Sequence, residues 1–267
     1  MAVCAGNWTM TKTKTHEALV EGQFGSRAAA YLTSAVHAQG ADLEALAGLV
    51  DGRTQARVLD LGCGGGHVSF NVASRVREVV AYDLSQDMLS VVARAARDRG
   101  LGNLSTAQGV AEKLPFDDAS FDAVLSRYSA HHWRDVDAGL REAARVLKPG
   151  GTAGFVDAVS PGPPLLDTYF QAIEVLRDPS HVRDYTRAEW ERALAGAGLV
   201  VGATASYRVR LDFAVWIERM RTPKVQADAI RALQAAASES VIRHFAIEAD
   251  GSFTIDVALF HATKPAA

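Results

Sequence analysis

Cysteine is scarce. Cys4 and Cys63 are the two in 267 residues, too far apart and in the wrong contexts for a disulfide framework or a cysteine-based zinc site, so a reducing compartment is expected. Long apolar runs are missing as well: nothing approaches the ~18 residues of a membrane span. The start of the chain lacks the positive charge and apolar stretch of a signal peptide, which makes a cytoplasmic location the expectation. Basic residues form no dense run and the net charge is −3. That argues against nucleic acid as the main substrate, because phosphate contacts need a basic surface. A small neutral or cationic molecule fits the balance better, taken up by a monomer or a homodimer. There are 8 histidines, yet no pair has ligand spacing to a nearby Cys or carboxylate, so no metal is expected. Repeats and low-complexity stretches are also absent.

What is there is ample apolar material, 48% of the chain, arranged with clear periodicity. From 16 to 50, apolar residues such as Val20, Phe24, Leu32, Leu43 and Leu46 recur at helical spacing and predict two or three helices. Strand and helix patterns then alternate: strands at 57–61, 78–82, 104–108, 121–126 and 152–156, helices at 67–74, 86–97 and 136–147. Such alternation predicts a parallel sheet with helices on both faces. Ser160-Pro161-Gly162-Pro163-Pro164 breaks it, and a helix at 188–197 and a strand near 199–207 follow. Phe213, Trp216, Ile217 and Met220 form an amphipathic helical stripe, more readily core than substrate wall. Thr222-Pro223 reads as the N-cap and first residue of another helix. Residues 241–247 and 253–262, joined through Asp250-Gly251, predict a hairpin that adds an antiparallel strand and makes His244 a strand residue.

The densest chemistry lies in Val58-Leu59-Asp60-Leu61-Gly62-Cys63-Gly64-Gly65-Gly66-His67, followed by Ala81-Tyr82-Asp83-Leu84-Ser85. An apolar strand ends in a glycine turn and a helix follows; the next strand ends in a carboxylate. Gly62, Gly64 and Gly66 let the backbone turn sharply and approach a ligand closely, while Asp83 is placed to accept both hydroxyls of a ribose. The dinucleotide fingerprint G-x-G-x-x-G, counted from Gly62, requires glycine where the chain has His67, which disfavours an NAD-type oxidoreductase. Asp60 stands two residues before the first glycine instead.

The pattern Asp-x-Gly-x-Gly-x-Gly from Asp60 to Gly66 resembles the first motif of the class I S-adenosylmethionine (SAM)-dependent methyltransferases. Further on, Ala111-Glu112-Lys113-Leu114-Pro115-Phe116, Phe121-Asp122-Ala123-Val124-Leu125-Ser126 and Leu140-Arg141-Glu142-Ala143-Ala144-Arg145-Val146-Leu147-Lys148-Pro149-Gly150-Gly151 follow in that family's order and spacing. They are most similar to the ubiquinone/menaquinone C-methyltransferase-like group, the type 11 methyltransferase domain, over roughly residues 56–156. Phe24-Gly25-x-x-Ala28-x-x-Tyr31 resembles that group's N-terminal helix, whose aromatic closes over SAM.

The resemblance implies a Rossmann-like, seven-stranded, mostly parallel α/β sheet with an antiparallel last strand. It also implies one domain over 1–267: a core at about 52–160, a helical segment at 16–50, and cap insertions at about 160–186 and 211–240. Cofactor contacts are expected from Tyr31, Asp60, Gly62, Cys63, Gly64, His67, Asp83, Leu84, Met88, Ala111, Glu112 and Ser126. Met88 and Ala111 would flank the adenine, with Glu112 near its amino group or else a solvated loop charge; His67 suits either a helix cap or a cofactor contact. Ser126 and Arg127 would lie near the sulfonium and the carboxylate.

Methyl transfer from SAM yields S-adenosylhomocysteine by in-line displacement and needs chiefly geometry, plus a base where the acceptor must lose a proton. Adjacent residues point about 100° apart at a helix start, so His131 and His132 are not expected to face one pocket together. The resemblance implies that His131 faces the cofactor cleft and that His132 packs inward. Arg127 and Tyr128 have comparable catalytic claims, and His181, in His181-Val182-Arg183-Asp184-Tyr185, is either a polar group opposite that loop or part of a hinge. The expectation is a SAM-dependent methyltransferase acting on a small organic molecule through an O, N or C nucleophile. A SAM-binding protein without transferase activity is the alternative from another class.

Overall fold

In the computed structural model, residues 15–24 and 40–266 are described; Tyr31 and Cys4 lie outside them. The described helices are α1 (His16–Phe24), α2 (Ala41–Gly48), α3 (His67–Val72), α4 (Gln86–Asp98), α5 (Val136–Val146), α6 (Pro164–Arg177), α7 (Arg187–Gly196), α8 (Phe213–Met220), α9 (Lys224–Ala235) and α10 (Glu239–Phe245). The strands are β1 (Arg57–Leu61), β2 (Glu78–Asp83), β3 (Leu104–Gln108), β4 (Phe121–Arg127), β5 (Leu147–Ala158), β6 (Val200–Leu211) and β7 (Phe253–Thr263). They form one 7-stranded sheet in the order β3-β2-β1-β4-β5-β7-β6. β7 runs antiparallel to both β5 and β6, and the pairings among β1 to β5 are parallel.

β1 is central because its side chains are apolar on both faces: Val58, Leu59 and Leu61 are fully buried, as a strand covered by helices on either side requires. Alternation sends them to opposite layers. Val58 and Leu125 join Leu43 and Leu46 of α2; Leu59 and Val124 join Leu140 of α5, Trp190 of α7 and Phe260 of β7. Trp190 stacks on Phe260 with centroids 5.1 Å apart. Its truncation to Ala would cost about 3–5 kcal/mol.

Helix starts follow their caps. Ser85 accepts the Met88 amide, Asp135 that of Ala138 and Asp212 that of Val215, while Thr186 and Glu189 form a reciprocal capping box. Each removes an orphan amide from a helix end. Thr222 departs from expectation: α9 begins at Lys224, with Pro223 at the cap position. The Thr222 hydroxyl instead donates to the Arg177 carbonyl at 2.9 Å, tying α8 to α6.

The predicted hairpin is corrected in its first half. Residues 239–245 are helical, so His244 is a helix residue, and the partner of β7 on that side is β6. Val241 and Phe245, four residues apart, are both buried, and Phe245 packs against Phe170 of α6. Burial of that helical face overrides the β-branched character of Val241-Ile242.

Candidate active site

The strand order reverses between β1 and β4, and the turns that leave the carboxyl ends of these two strands border a cleft of ≈ 1100 Å³, its mouth included. This is where open α/β sheets place ligands. Gly62, Gly64 and Gly66 have φ of 72°, 48° and 80°. The amides of Gly62 and Cys63 both donate to the Tyr82 carbonyl, at 2.8 and 2.9 Å. A Cβ on Gly62 would fall 1.9 Å from the Ser129 Oγ, so glycine there is required by close packing as well as by the turn.

Asp83 braces this turn. One of its oxygens accepts the Gly64 amide at 2.8 Å and the other the Ser85 amide at 2.9 Å, which leaves lone pairs on each for a ligand's hydroxyls. Burial raises its pKa against those amides. Asp60, fully buried but lining the cleft, accepts the Ser69 amide and hydroxyl on Oδ2, whereas Oδ1 has no partner among the described residues. Burial pushes its pKa up to about 7 despite the Ser69 hydrogen bonds.

Cys63, His67 and Leu84 also line the cleft, with Met88 and Ala111 on the β2 side. Glu112 lines it too, but its carboxylate accepts the Arg134 and Asp135 amides at 2.8 and 3.3 Å, which anchors the 134–135 turn. Ser126 is displaced from its expected place. It is 2% exposed and its hydroxyl donates to the Leu61 carbonyl at 2.7 Å, across the β1–β4 pairing. Arg127 lines the cleft, with Nε on Asp42 Oδ2 at 2.7 Å and both side chains buried. Tyr128 adopts φ of 51°, a conformation that costs a non-glycine residue energy and clusters at functional sites. α1 lies along the same cleft: His16 meets the His132 carbonyl at 2.8 Å, Glu17 pairs with Arg134 at 3.0 Å, and Phe24 packs edge-on against the His132 ring.

The geometry places the two histidines differently from the expected arrangement. His132 faces the cleft at the glycine turn, and both histidines reach a second cavity of ≈ 690 Å³, its mouth included, where His131 lies. The turn here is a short 3-10 segment, Ala130–His132, and the two rings lie 4.2 Å apart between centroids. His131 Nδ1 is 2.6 Å from Asp157 Oδ1. Burial alone would depress the His131 pKa, but the Asp157 charge and hydrogen bond, with Asp184 and Glu174 behind them, raise it to about 9. It is therefore not the near-neutral imidazole of an unperturbed side chain. His132 is held neutral by burial and by the neighbouring His131 charge, with its Nδ1 3.1 Å from the Ser180 carbonyl. His181 is buried behind the wall, with Nε2 3.2 Å from Gln171 Oε1.

The second cavity has two kinds of wall. Val209, Leu211, Trp216, Met220 and Ile255 form an apolar side, so the Trp216 and Met220 stripe is both core and cavity wall. Glu174, Asp178, Asp184 and Arg177 form the polar side with His131. The two cavities share Phe24, Tyr128 and His132. Asp42 and Asp157 escape a reading of motifs. The available signal for Asp157 was a lone carboxylate in the apolar run Phe155-Val156-Asp157-Ala158, at the carboxyl end of a central strand.

Comparison with known proteins agrees with this geometry. Residues 59–155 match the family described as methyltransferase domain. The chain is 50% identical over 201 residues to the uncharacterized protein YafE of Escherichia coli (strain K12), covering 75% of this chain and 97% of that one. It is 36% identical over 203 residues to the uncharacterized methyltransferase YcgJ of Bacillus subtilis (strain 168), covering 76% and 80%. The crystal structure of YcgJ superposes with a TM-score of 0.81 at 32% identity, over 85% of this chain and 99% of that one. Similarity to the ubiquinone/menaquinone biosynthesis C-methyltransferase UbiE of Idiomarina loihiensis is 41% over 103 residues, 37% of this chain and 41% of that protein.

Proposed function

The chain belongs to the class I SAM-dependent methyltransferases of the methyltransferase-domain family, and from that premise we propose that it methylates a small amphipathic organic molecule held in the cavity of Trp216 and His131. The observation that carries this reading is the shared wall. Phe24, Tyr128 and His132 border both cavities, so a donor in one lies next to an acceptor in the other.

The residues present fit SAM. The orphaned Asp60 Oδ1 is a buried acceptor in need of a cationic donor, matching the ammonium of the methionine end, and Asp83 has lone pairs for the ribose hydroxyls. Met88 and Ala111 supply apolar contact for the adenine. When bound, SAM supplies an electrophilic methyl group. The protein's part is then to align the acceptor, exclude water and take up a proton where the acceptor has one to lose, and proximity and orientation alone are worth roughly 7–11 kcal/mol. The apolar wall holds the acceptor's body, while the His131–Asp157 pair fixes an imidazole at its polar end.

A panel of small amphipathic acceptors incubated with methyl-labelled SAM tests the assignment. Transfer to a panel member is expected, and Val209→Trp, which fills the apolar side of the cavity, should abolish it while S-adenosylhomocysteine still binds. Full turnover in that variant would remove the acceptor from this cavity.

A further inference from the structure

The polar side of the acceptor cavity is more crowded with ligand-type atoms than substrate positioning requires. One such atom from each of His131, Asp157 and Asp184 lies within 4.8 Å of the other two. They come from three separate segments: the turn after β4, the end of β5 and the stretch between α6 and α7. Asp157 and Asp184 are each 2% exposed. Among the described residues Asp184 Oδ2 has no hydrogen-bond partner, and His181 Nε2 is 3.7 Å away. A carboxylate in that position is costly unless it is paired, holds a cation or takes up a proton. Glu174, paired with Arg177 at 3.3 Å, and Asp178 lie on the same wall, and among the described residues Asp178 Oδ2 is likewise unpartnered.

We propose that His131, Asp157 and Asp184 form a binding site for a divalent transition-metal ion. The site opens on the acceptor cavity, which His131 and Asp184 both line. A mixture of imidazole nitrogen and carboxylate oxygen selects zinc, cobalt, nickel, manganese or ferrous iron over calcium and magnesium, which prefer all-oxygen shells, and over soft cuprous copper. His131 Nδ1 and Asp157 Oδ1, now 2.6 Å apart across a hydrogen bond, would separate to about 3.4 Å around an ion with bonds of about 2.0–2.1 Å. That shift is under 1 Å, and the ion takes the place of the proton shared by the pair. Facing the cavity, it would act as a Lewis acid on an acceptor oxygen or nitrogen. Binding of the metal does not depend on methyl transfer and is read without SAM or acceptor, so this inference and the proposed function can fail separately.

The test is titration of the full chain, freed of metal by chelation, with Co2+ while its visible d–d absorption is followed. A band that saturates at one equivalent and is displaced by Zn2+ is expected. Asp184→Asn and His131→Gln should each weaken Co2+ binding by at least about tenfold, whereas His244→Gln, whose ring pairs with Asp256 at 3.1 Å on another part of the fold, should not. Retained S-adenosylhomocysteine binding establishes that each variant is folded. Absence of a saturating band in the unaltered chain would overturn the proposal, and so would Co2+ affinity that is the same in both cluster variants.

Discussion

Asp60 accepts the amide and the hydroxyl of Ser69 on one oxygen, at 2.9 and 2.6 Å, and nothing among the described residues on the other. With its pKa raised to about 7 by burial, Asp60 is protonated in the free protein at pH 5–6, where the same group in an unfolded chain is ionised. Between about pH 4 and 7 the folded state therefore binds the extra proton, and its stability falls as pH rises; above about 7 this contribution is constant. A cationic ligand group next to Oδ1 favours the carboxylate. SAM affinity should thus rise with pH up to about 7 and then level off, with proton uptake by buffer below 7. Calorimetry in two buffers of different ionisation enthalpy checks it. In Asp60→Asn the pH dependence should vanish, and a pH-dependent affinity that persists there would assign it to another group.

Gly62 and Gly64 share a positive φ, yet they should respond differently to substitution. A Cβ on Gly62 meets the Ser129 Oγ, which also accepts the Trp133 indole at 3.0 Å, whereas a Cβ on Gly64 meets nothing within 4 Å. Gly64→Ala should cost about 1 kcal/mol from backbone strain alone. Gly62→Ala should cost at least about 2–3 kcal/mol through overpacking as well. Denaturant unfolding of both variants measures the difference, and equal losses would show that the turn's conformation alone sets the requirement.

The two histidines separate by readout. His131→Ala should lower turnover on an identified acceptor by about 100-fold with S-adenosylhomocysteine affinity nearly intact, since the ring borders the second cavity and, with its pKa raised to about 9, serves there as a hydrogen-bond donor that positions the acceptor and not as a base. His132→Ala removes the ring's bond to the Ser180 carbonyl and its packing on Phe24, and should cost about 2 kcal/mol of stability. Unfolding and steady-state assays on the pair check this; the reverse pattern would exchange their roles.

Much of this was legible in the chain. The order of helices and parallel strands from 57 to 158 follows from apolar periodicity and glycine-bearing turns, and Asp60, Gly62, Gly64 and Asp83 meet in one cleft because a single strand-turn-helix unit and its neighbour place them there. Elsewhere tertiary contact decided the outcome. The helix at 239–245 depends on burial of Val241 and Phe245 against α6, which local pattern does not contain. His131, Asp157 and Asp184 are brought together from three segments, so spacing along the chain carries no trace of the cluster. Ser126 has the residue type of a ligand contact but points between β1 and β4, a consequence of strand register.

α1 lines the cleft at the glycine turn through His16, Glu17 and Phe24. Ligand contact should stabilise that helix, so amide exchange across 16–24 should slow by about tenfold, ~1.4 kcal/mol, when S-adenosylhomocysteine binds. Mass-spectrometric exchange resolves the segment. Unchanged protection would make α1 a fixed wall and not a closing element.

The account stands most directly on Asp83, the carboxylate that joins the end of β2 to the glycine turn after β1. Isothermal calorimetry should find one S-adenosylhomocysteine per chain, and Asp83→Ala should weaken that binding by about 1.5–3 kcal/mol, roughly 10- to 150-fold, through loss of a charged acceptor. Unaltered affinity in the variant would contradict placement of the cofactor in this cleft.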